Sequence, residues 1–424
     1  MSSVYSSKAP SSLSTAVFGR FRTHVISKQN GYPIENAAIE ITNADCPDHP
    51  VEKITTDCNG QTDTVELSTP PKEYSMEPCE HRPYSEYNLH VKADGYHPVT
   101  IHFAQILANE TAIQELALTP LDKTEPETCY DIPKHVLYGE YPPKIAEDEV
   151  KHSPAFDEKE HIRMVIPETI VVHNGPPTDS SAKNYKISYR DYIKSAASCG
   201  IYATWPDAAL EANILTIMSL TLNRIYTEWY RNKGYHFTIT GSGAYDQKWS
   251  PHMTVYERIS LITDSIFSNF LSRPNVTQPI FTQYSDGLKT NNSSWISRWG
   301  SKSLAEDGQP ALQILKKYYG DSIYINSTSE ISGSPSLWPG STLYEGANSD
   351  KIRQVQLWLN VVSDIYNEIP KITADGTFGE KTKEAVLLFQ KIFHLPQTGS
   401  IDFRAWYKIS SAYVAMNRTA GLLL

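Results

Sequence analysis

Two proline-rich stretches, residues 122–166 and 331–348, cut this 424-residue chain into three blocks with different hydrophobic periods. The first begins DKTEPETCYDIPK and mixes proline with charge. It has no period that would bury a face, so it reads as an extended linker laid across a neighbour. The second contains SGSPSLWPGSTLYEGAN and reads the same way. A chain of this length exceeds one ordinary core, and separate domains are the natural solution. The apolar fraction of 40%, with 12 Phe, 8 Trp and 26 Tyr, is enough to build those cores.

After a polar, flexible N-terminus (1–14), residues 15–121 alternate with period two in GRFRTHVI, AAIEIT, TVEL, YNLHVKA and VTIHFAQI. Turn signals at Gln29-Asn30-Gly31, Cys58-Asn59-Gly60 and Asp94-Gly95 separate them, which predicts an all-β sandwich. His90, His97 and His102 fall among these strands, where lone histidines are most often structural. Residues 167–330 read as a mixed α/β domain. ETIVVHN predicts a strand, and YRDYIKSAAS, Trp205–Asn232, VYERISLITDSIFSNFLSR and ALQILKKYYG predict helices. Thr204, with Asp207 three residues on, has the pattern of an N-cap, and Pro206 suits a first turn. Residues 349–418 predict a three-helix module, so the fold class expected is multidomain α+β.

The formal net charge of −10 argues against nucleic acid, whose phosphates demand basic stripes. No run is long and apolar enough to span a membrane. MSSVYSSKAPSSLSTAVFGRF lacks the charged start and apolar run of a secretory signal. Synthesis in the cytoplasm is expected, with any association with spore or cell wall reached by lysis or inclusion. Five scattered cysteines without CxxC point to reduced thiols, with a pairing among Cys46, Cys58 and Cys79 left open. No cofactor and no metal site is expected.

Two resemblances follow from motifs. ADGTFGEKTKEAVLLFQ with LPQTGSIDFRAW resembles the peptidoglycan-binding type 1 domain through Asp375, Gly376, Phe378, Gly379, Thr382, Ala385, Val386, Phe389, Gln390, Thr398, Gly399 and Trp406. The glycines suit turns, and Ala385, Val386, Phe389 and Leu357 suit helix packing, so the motif speaks first for the fold. The resemblance implies a peptidoglycan-binding surface around Asp375, Phe378, Thr382, Gln390 and Trp406.

The central block resembles the lytic transglycosylase domain of stage II sporulation protein D and the spore cortex-lytic enzymes of clostridia. The stretches are DYIKSAASCGIYATWPDAALEANI, TLNRIYTEWYRNKGYHFTIT, AYDQ, TQYSDG and WGSKSLAEDG. That resemblance implies non-hydrolytic cleavage of glycan strands by one glutamic acid that first donates and then takes a proton. Such an acid needs an apolar setting to stay protonated. It implies a substrate cleft at Tyr202, Trp205, Tyr245, Asp246, Ser285, Arg298 and Trp299, with Tyr202 and Trp205 as an aromatic wall.

In that pattern the glutamate stands five residues before the tryptophan of Trp-Pro, where this chain has Gly200. Loss of such a group typically costs about 10²- to 10⁴-fold in rate. The relatives' cysteines are replaced by Ser285 and Asn292, and their Gln-Trp-Gly by Arg298-Trp299-Gly300. Three readings stay open. One is a peptidoglycan-binding homologue without catalysis, with a structural, targeting or regulatory role. Another is an active lytic transglycosylase with a displaced acid, Asp246 or Asp286. The third is an assembly protein whose domains supply only interfaces to protein partners. The relatives also imply trimming by a subtilisin-like protease.

Overall fold

In the computed structural model, residues 17–124, 128–135, 137, 144–151, 163–285 and 294–422 are described, with side chains up to Asn417. The chain is a multidomain α+β protein. Strands β1 (Val17–Ser27), β2 (Ala38–Asn43), β3 (Cys46–Thr55), β4 (Val65–Thr69), β5 (Tyr84–Lys92), β6 (Val99–Leu107), β7 (Thr111–Leu118) and β8 (Cys129–Asp131) come first. They fall into two sheets, one ordered β3-β2-β5-β6-β8 and one containing β7-β1-β4. Phe21, Val25, Leu67 and Leu116 of one sheet and Ile41, Leu89, Val91 and Ile101 of the other are all buried. Two features cross the expected divisions. β8 comes from the proline-rich stretch and pairs parallel with β6. β12 (Val255–Tyr256), from the central block, pairs antiparallel with β7, Val255 opposite Ile113.

The central block opens with β9 (Thr169–His173) and β10 (Asn184–Ser188), joined in one sheet by β11 (Ile239–Thr240). Helix α1 (Tyr189–Gly200) follows, and Ser188 caps it by accepting from Asp191 N at 3.1 Å. Helix α2 (Asp207–Tyr226) is shorter than its apolar pattern predicts and is buried on nearly every side, from Ala209 to Arg224. Its N-cap residue is Pro206, which has no side-chain bond to give. Thr204 instead donates to Ser75 Oγ of the β-sandwich at 2.8 Å. The expected long helix after Val255 is split. Helix α3 (Glu257–Ile266) ends, and β13 (Asn269–Ser272) pairs antiparallel with β16 (Tyr324–Ser327). The apolar Phe270 and Leu271 that suggested continued helix are strand residues buried beside α2.

Strands β14 (Tyr284–Ser285) and β15 (Ile296–Ser297) pair in parallel and lead into α4 (Arg298–Glu306), followed by α5 (Ala311–Tyr319). Ser297 caps α4 by accepting from Gly300 N at 2.9 Å. A Cβ at Gly300 would overlap the Tyr318 hydroxyl and crowd Ser297, so a side chain there would have to displace them.

The last three helices are α6 (Asp350–Val362), α7 (Glu380–Ile392) and α8 (Phe403–Leu422). They bury Ile352, Trp358, Phe378, Val386, Phe389 and Trp406, whereas Leu357, expected in this core, is 52% exposed. The module is docked on both other blocks. Phe403 and Tyr407 pack on Phe267 with ring centroids 5.2 and 5.3 Å apart. Asn59 of the sandwich donates to Glu368 Oε1 at 2.9 Å. All five cysteines are free thiols, which removes the pairing left open among Cys46, Cys58 and Cys79. Among the described residues, no helix is long and apolar enough to cross a membrane.

Candidate functional site

Gly200 is the last residue of α1 and is buried. A Cβ built there points at the Arg298 side chain, 3.3 Å from Nη2 and 3.6 Å from Cζ, and the nearest three atoms all belong to that guanidinium. Two departures ninety-eight positions apart in sequence are therefore one spatial feature.

Arg298 opens α4 and is 1% exposed. Its Nη1 donates to Asn213 Oδ1 on α2 at 2.7 Å and its Nη2 to Gln247 Oε1 at 3.2 Å. The guanidinium lies 4.0 Å over the Tyr284 ring, and Lys144 sits over the same ring. Burial alone would push the Tyr284 phenol up, but Lys144 and Arg298 together outweigh it and hold it below its ordinary value. Among the described residues no carboxylate pairs with Arg298, and its Nε has no hydrogen-bond partner. Gln247 Nε2 and both ring nitrogens of His135 are also buried and unpartnered there. His135 is kept neutral, its basicity depressed by burial first and by Lys248 and Arg298 after it. Among the described residues the feature brings together the Arg298 and Lys144 cations, the Tyr284 phenol and the neutral Gln247 and His135 side chains.

The expected aromatic wall is buried. Tyr202 and Trp205 are 2% and 0% exposed, and they anchor the central block to other segments. Leu137 N donates to the Tyr202 hydroxyl at 2.9 Å, and Trp205 Nε1 donates to Ser75 O at 2.8 Å. Trp299 joins them, 5.0 Å from Trp205, with Nε1 donating to Leu137 O at 2.8 Å. Every polar edge of this trio is spent on backbone, and no ring face is free for a sugar. Ser285 is buried and pairs across the short sheet with Ser297. Asp286 and Asn292 lie outside the described residues.

Asp246 is a buried carboxylate filled by donors. Arg224 Nε at 2.6 Å, Tyr230 Oη at 2.7 Å, Thr240 N at 2.9 Å and Thr240 Oγ1 at 2.7 Å all give to it. Arg224 also grips Glu147 through two nitrogens at 2.8 and 2.7 Å, and Lys151 adds a third bond at 2.8 Å. Burial opposes ionisation of Glu147, yet Arg224 and Lys151 hold it below its usual range. Half-buried Tyr245 contributes its carbonyl, 3.3 Å from Arg224 Nη2. This network ties residues 144–151 to α2, with Asp246 as a hydrogen-bond acceptor within it. Asp207, expected as a cap, forms no cap bond and pairs with Arg258 at 2.5 Å. Half-buried Glu211 is the carboxyl on α2 pushed upward, by burial and then by Asp207.

In the C-terminal module the motif residues serve two matched clamps. Gln356 on α6 is 1% exposed, accepts from Gly376 N at 2.8 Å and donates to Thr377 O and Thr382 Oγ1, both at 3.0 Å. Asp375 Oδ1 accepts from Gln356 Nε2 at 3.2 Å and from Thr377 N at 2.8 Å, closing the turn. Gly376 stands at φ +84°, where a side chain would also press on Ser349 O at 3.1 Å. Gln390 on α7 repeats the device, accepting from Gly399 N at 2.9 Å and donating to Ser400 O at 2.8 Å. Sequence reading named Gln390 but missed Gln356. Its signal was the shared arrangement of a helix glutamine followed by a turn glycine. Phe378 and Trp406 are 0% exposed, and Trp406 packs 5.1 Å from Trp358. Of the five residues expected at a binding surface, only Asp375 is exposed.

Residues 348–409 match the family model described as "Putative peptidoglycan binding domain". The C-terminal helices are thus a peptidoglycan-binding type 1 module, and the match covers only that module. No curated protein matches the chain. Among solved structures the likenesses are partial. The TIE protein of Bacillus anthracis is 14% identical over 24% of this chain and 17% of its own, with TM-score 0.17. Klebsiella pneumoniae 5-hydroxyisourate hydrolase is 15% identical over 24% and 90%, with TM-score 0.16. Catechol 1,2-dioxygenase from an Acinetobacter species is 14% identical over 28% and 59%, with TM-score 0.18. At such scores nothing about fold or activity passes from them to this chain.

Proposed function

We propose that this chain holds peptidoglycan without cutting it, as a homologue of the cortex-lytic transglycosylases that has given up catalysis. The C-terminal module supports the first half of that reading. The second half rests on the Gly200–Arg298 contact: where the resemblance calls for a protonated carboxyl there is no side chain, and a buried cation occupies the space in front of it. A cation there opposes any protonated acid, because it favours the ionised form. Asp246 does not replace the missing group, since four donors keep it as an acceptor. The role that follows is structural, targeting or regulatory, at the cell wall or in the spore, with glycan strands as the partner.

Two assays on one sample test this. Incubation with purified sacculi should bring the protein down with the pellet, while chromatography of the supernatant shows no anhydro-muropeptides. Release at a rate comparable with an active lytic transglycosylase would sink the inactive half. In that case Glu211→Gln is the next variant, because Glu211 is a carboxyl on α2 whose proton affinity burial raises.

A further inference from the structure

The C-terminal module meets the β-sandwich along a seam that carries two histidines. His24 lies on β1, opposite Glu115 of β7 in the parallel ladder, and is bridged antiparallel to Gln61. Gln61 Nε2 donates across the seam to Ile392 O at 2.5 Å, two residues before His394. Beside it Asn59 donates to Glu368 Oε1 at 2.9 Å. The seam is incompletely filled: His24, Tyr366, Phe393 and Lys408 of α8 line one cavity of about 420 Å³.

The charges around the two rings are already matched. Arg22 pairs with Glu257 at 3.0 Å, and Lys194 pairs with Asp264 at 2.7 Å, where Arg190 also stands at 3.5 Å. Glu115 acts on Lys408, as do Asp264, Lys194 and Arg190. His24 itself faces Glu115, Asp57 and the Asn59 backbone from the sandwich, and Lys408 from the module. His394 faces Arg22 and His24 across the seam and Lys408 on its own side. His24 Nε2 is buried without a hydrogen-bond partner, so a proton placed there meets no acceptor. Burial is the first cause that keeps both rings neutral. Lys408 adds to it at each ring, while Glu115 and Asp57 oppose it at His24.

We propose that this seam is a pH-operated latch, which holds the module on the sandwich while His24 and His394 are neutral and opens when the two rings take up protons. It stands independently of the peptidoglycan-holding reading. Opening removes Arg22 and His24 from His394 and admits water, so the open form binds protons more tightly than the closed one. Closure is therefore undiminished above pH 6.5 and is lost as pH falls toward 4. A return of His394 alone from about 4 to 6.5 weakens closure by up to about 30-fold at pH 5.

Distances across the seam test the latch. The full chain carries spin labels at the exposed positions Gln29→Cys and Asn367→Cys, with Cys46, Cys58, Cys79 and Cys129 replaced by serine. Dipolar electron-spin spectra should show one short distance at pH 7.5 and a longer population that grows between pH 6.5 and 4. Far-UV circular dichroism should stay unchanged over the same range. His24→Gln and His394→Asn should each move the onset to lower pH, and the two together should keep the short distance at pH 5. A distance that stays short down to pH 4 overturns the latch without reference to either histidine variant. So does a longer population that persists unchanged in the folded double variant, or one that appears only as the circular dichroism is lost.

Discussion

Replacing Gly200 by glutamate places a carboxyl beside the Arg298 guanidinium, and the outcome can be worked out from distances. The Cβ at 200 already lies 3.3 Å from Nη2, a flexible side-chain end that can yield by a few tenths of an ångström. Gly200 is helical rather than left-handed, so a side chain brings no backbone strain. An opposite charge at this range depresses an acid by about 1–3 pH units, or roughly 1.4–4 kcal/mol in favour of the ionised form. Replacing a helical glycine adds a few tenths of a kcal/mol, and an acid at a helix C-terminus subtracts about 0.3–1 kcal/mol. The folded carboxyl then titrates below the unfolded value of about 4.3. Its pairing is fully present above that pH and is lost as pH falls through the folded value.

Melting curves between pH 3 and 8 for Gly200→Glu, Arg298→Gln, the double variant and the parent give the coupling energy directly. The expected coupling is favourable by at least about 1 kcal/mol at pH 7 and vanishes in acid. Muropeptide release should be absent in the single variant, whose ionised carboxylate has no proton to donate. In the double variant the buried carboxyl loses its cation and rises, which supplies a proton donor. Zero coupling, or release by the single variant equal to that of the double, would refute the reasoning.

Gln356→Ala removes a buried clamp and strands Gly376 N, so chemical denaturation should show a loss of about 1–3 kcal/mol. Gln390→Ala should cost a similar amount at the other turn. Asp246→Asn leaves buried Arg224 under-compensated and should destabilise the fold by about 3–5 kcal/mol, as breaking a buried pair does. A fully stable variant would mean that Glu147 alone satisfies the arginine. His394 is depressed from 6.5 to about 4 by burial, then by Arg22, His24 and Lys408. Unfolding therefore takes up a proton in that range: stability is intact above pH 6.5 and is lost as pH falls toward 4. Allowing for solvent screening, the loss is about 1–3 kcal/mol, and His394→Asn, which tolerates the +52° φ, should flatten that part of the pH profile in calorimetric melts.

Alternating segments such as YNLHVKA and VTIHFAQI became β5 and β6 because one face of each had a sheet to cover it. β3 was not legible, since nearly all of its residues face solvent at a sheet edge and carry no apolar alternation. Phe270 and Leu271 fitted a helical period equally well, and only the partner β16, more than fifty residues on, makes them strand. Thr204 looked like a cap because its local pattern is right, but its hydroxyl is taken by Ser75, a tertiary contact no local rule contains. In the C-terminal module the motif was legible as fold, and the residues it names are mostly buried clamps and core. At the candidate site, Gly200 and Arg298 each stood out in sequence. Their contact did not, because α1 and α4 are brought together only by packing on α2.

The most direct measurement is sedimentation with purified sacculi at physiological ionic strength, with the supernatant analysed for soluble muropeptides. The account predicts protein in the pellet and no anhydro-muropeptides in solution. Protein left in the supernatant would contradict the binding, and anhydro-muropeptides released by wild-type protein would contradict the inactive site.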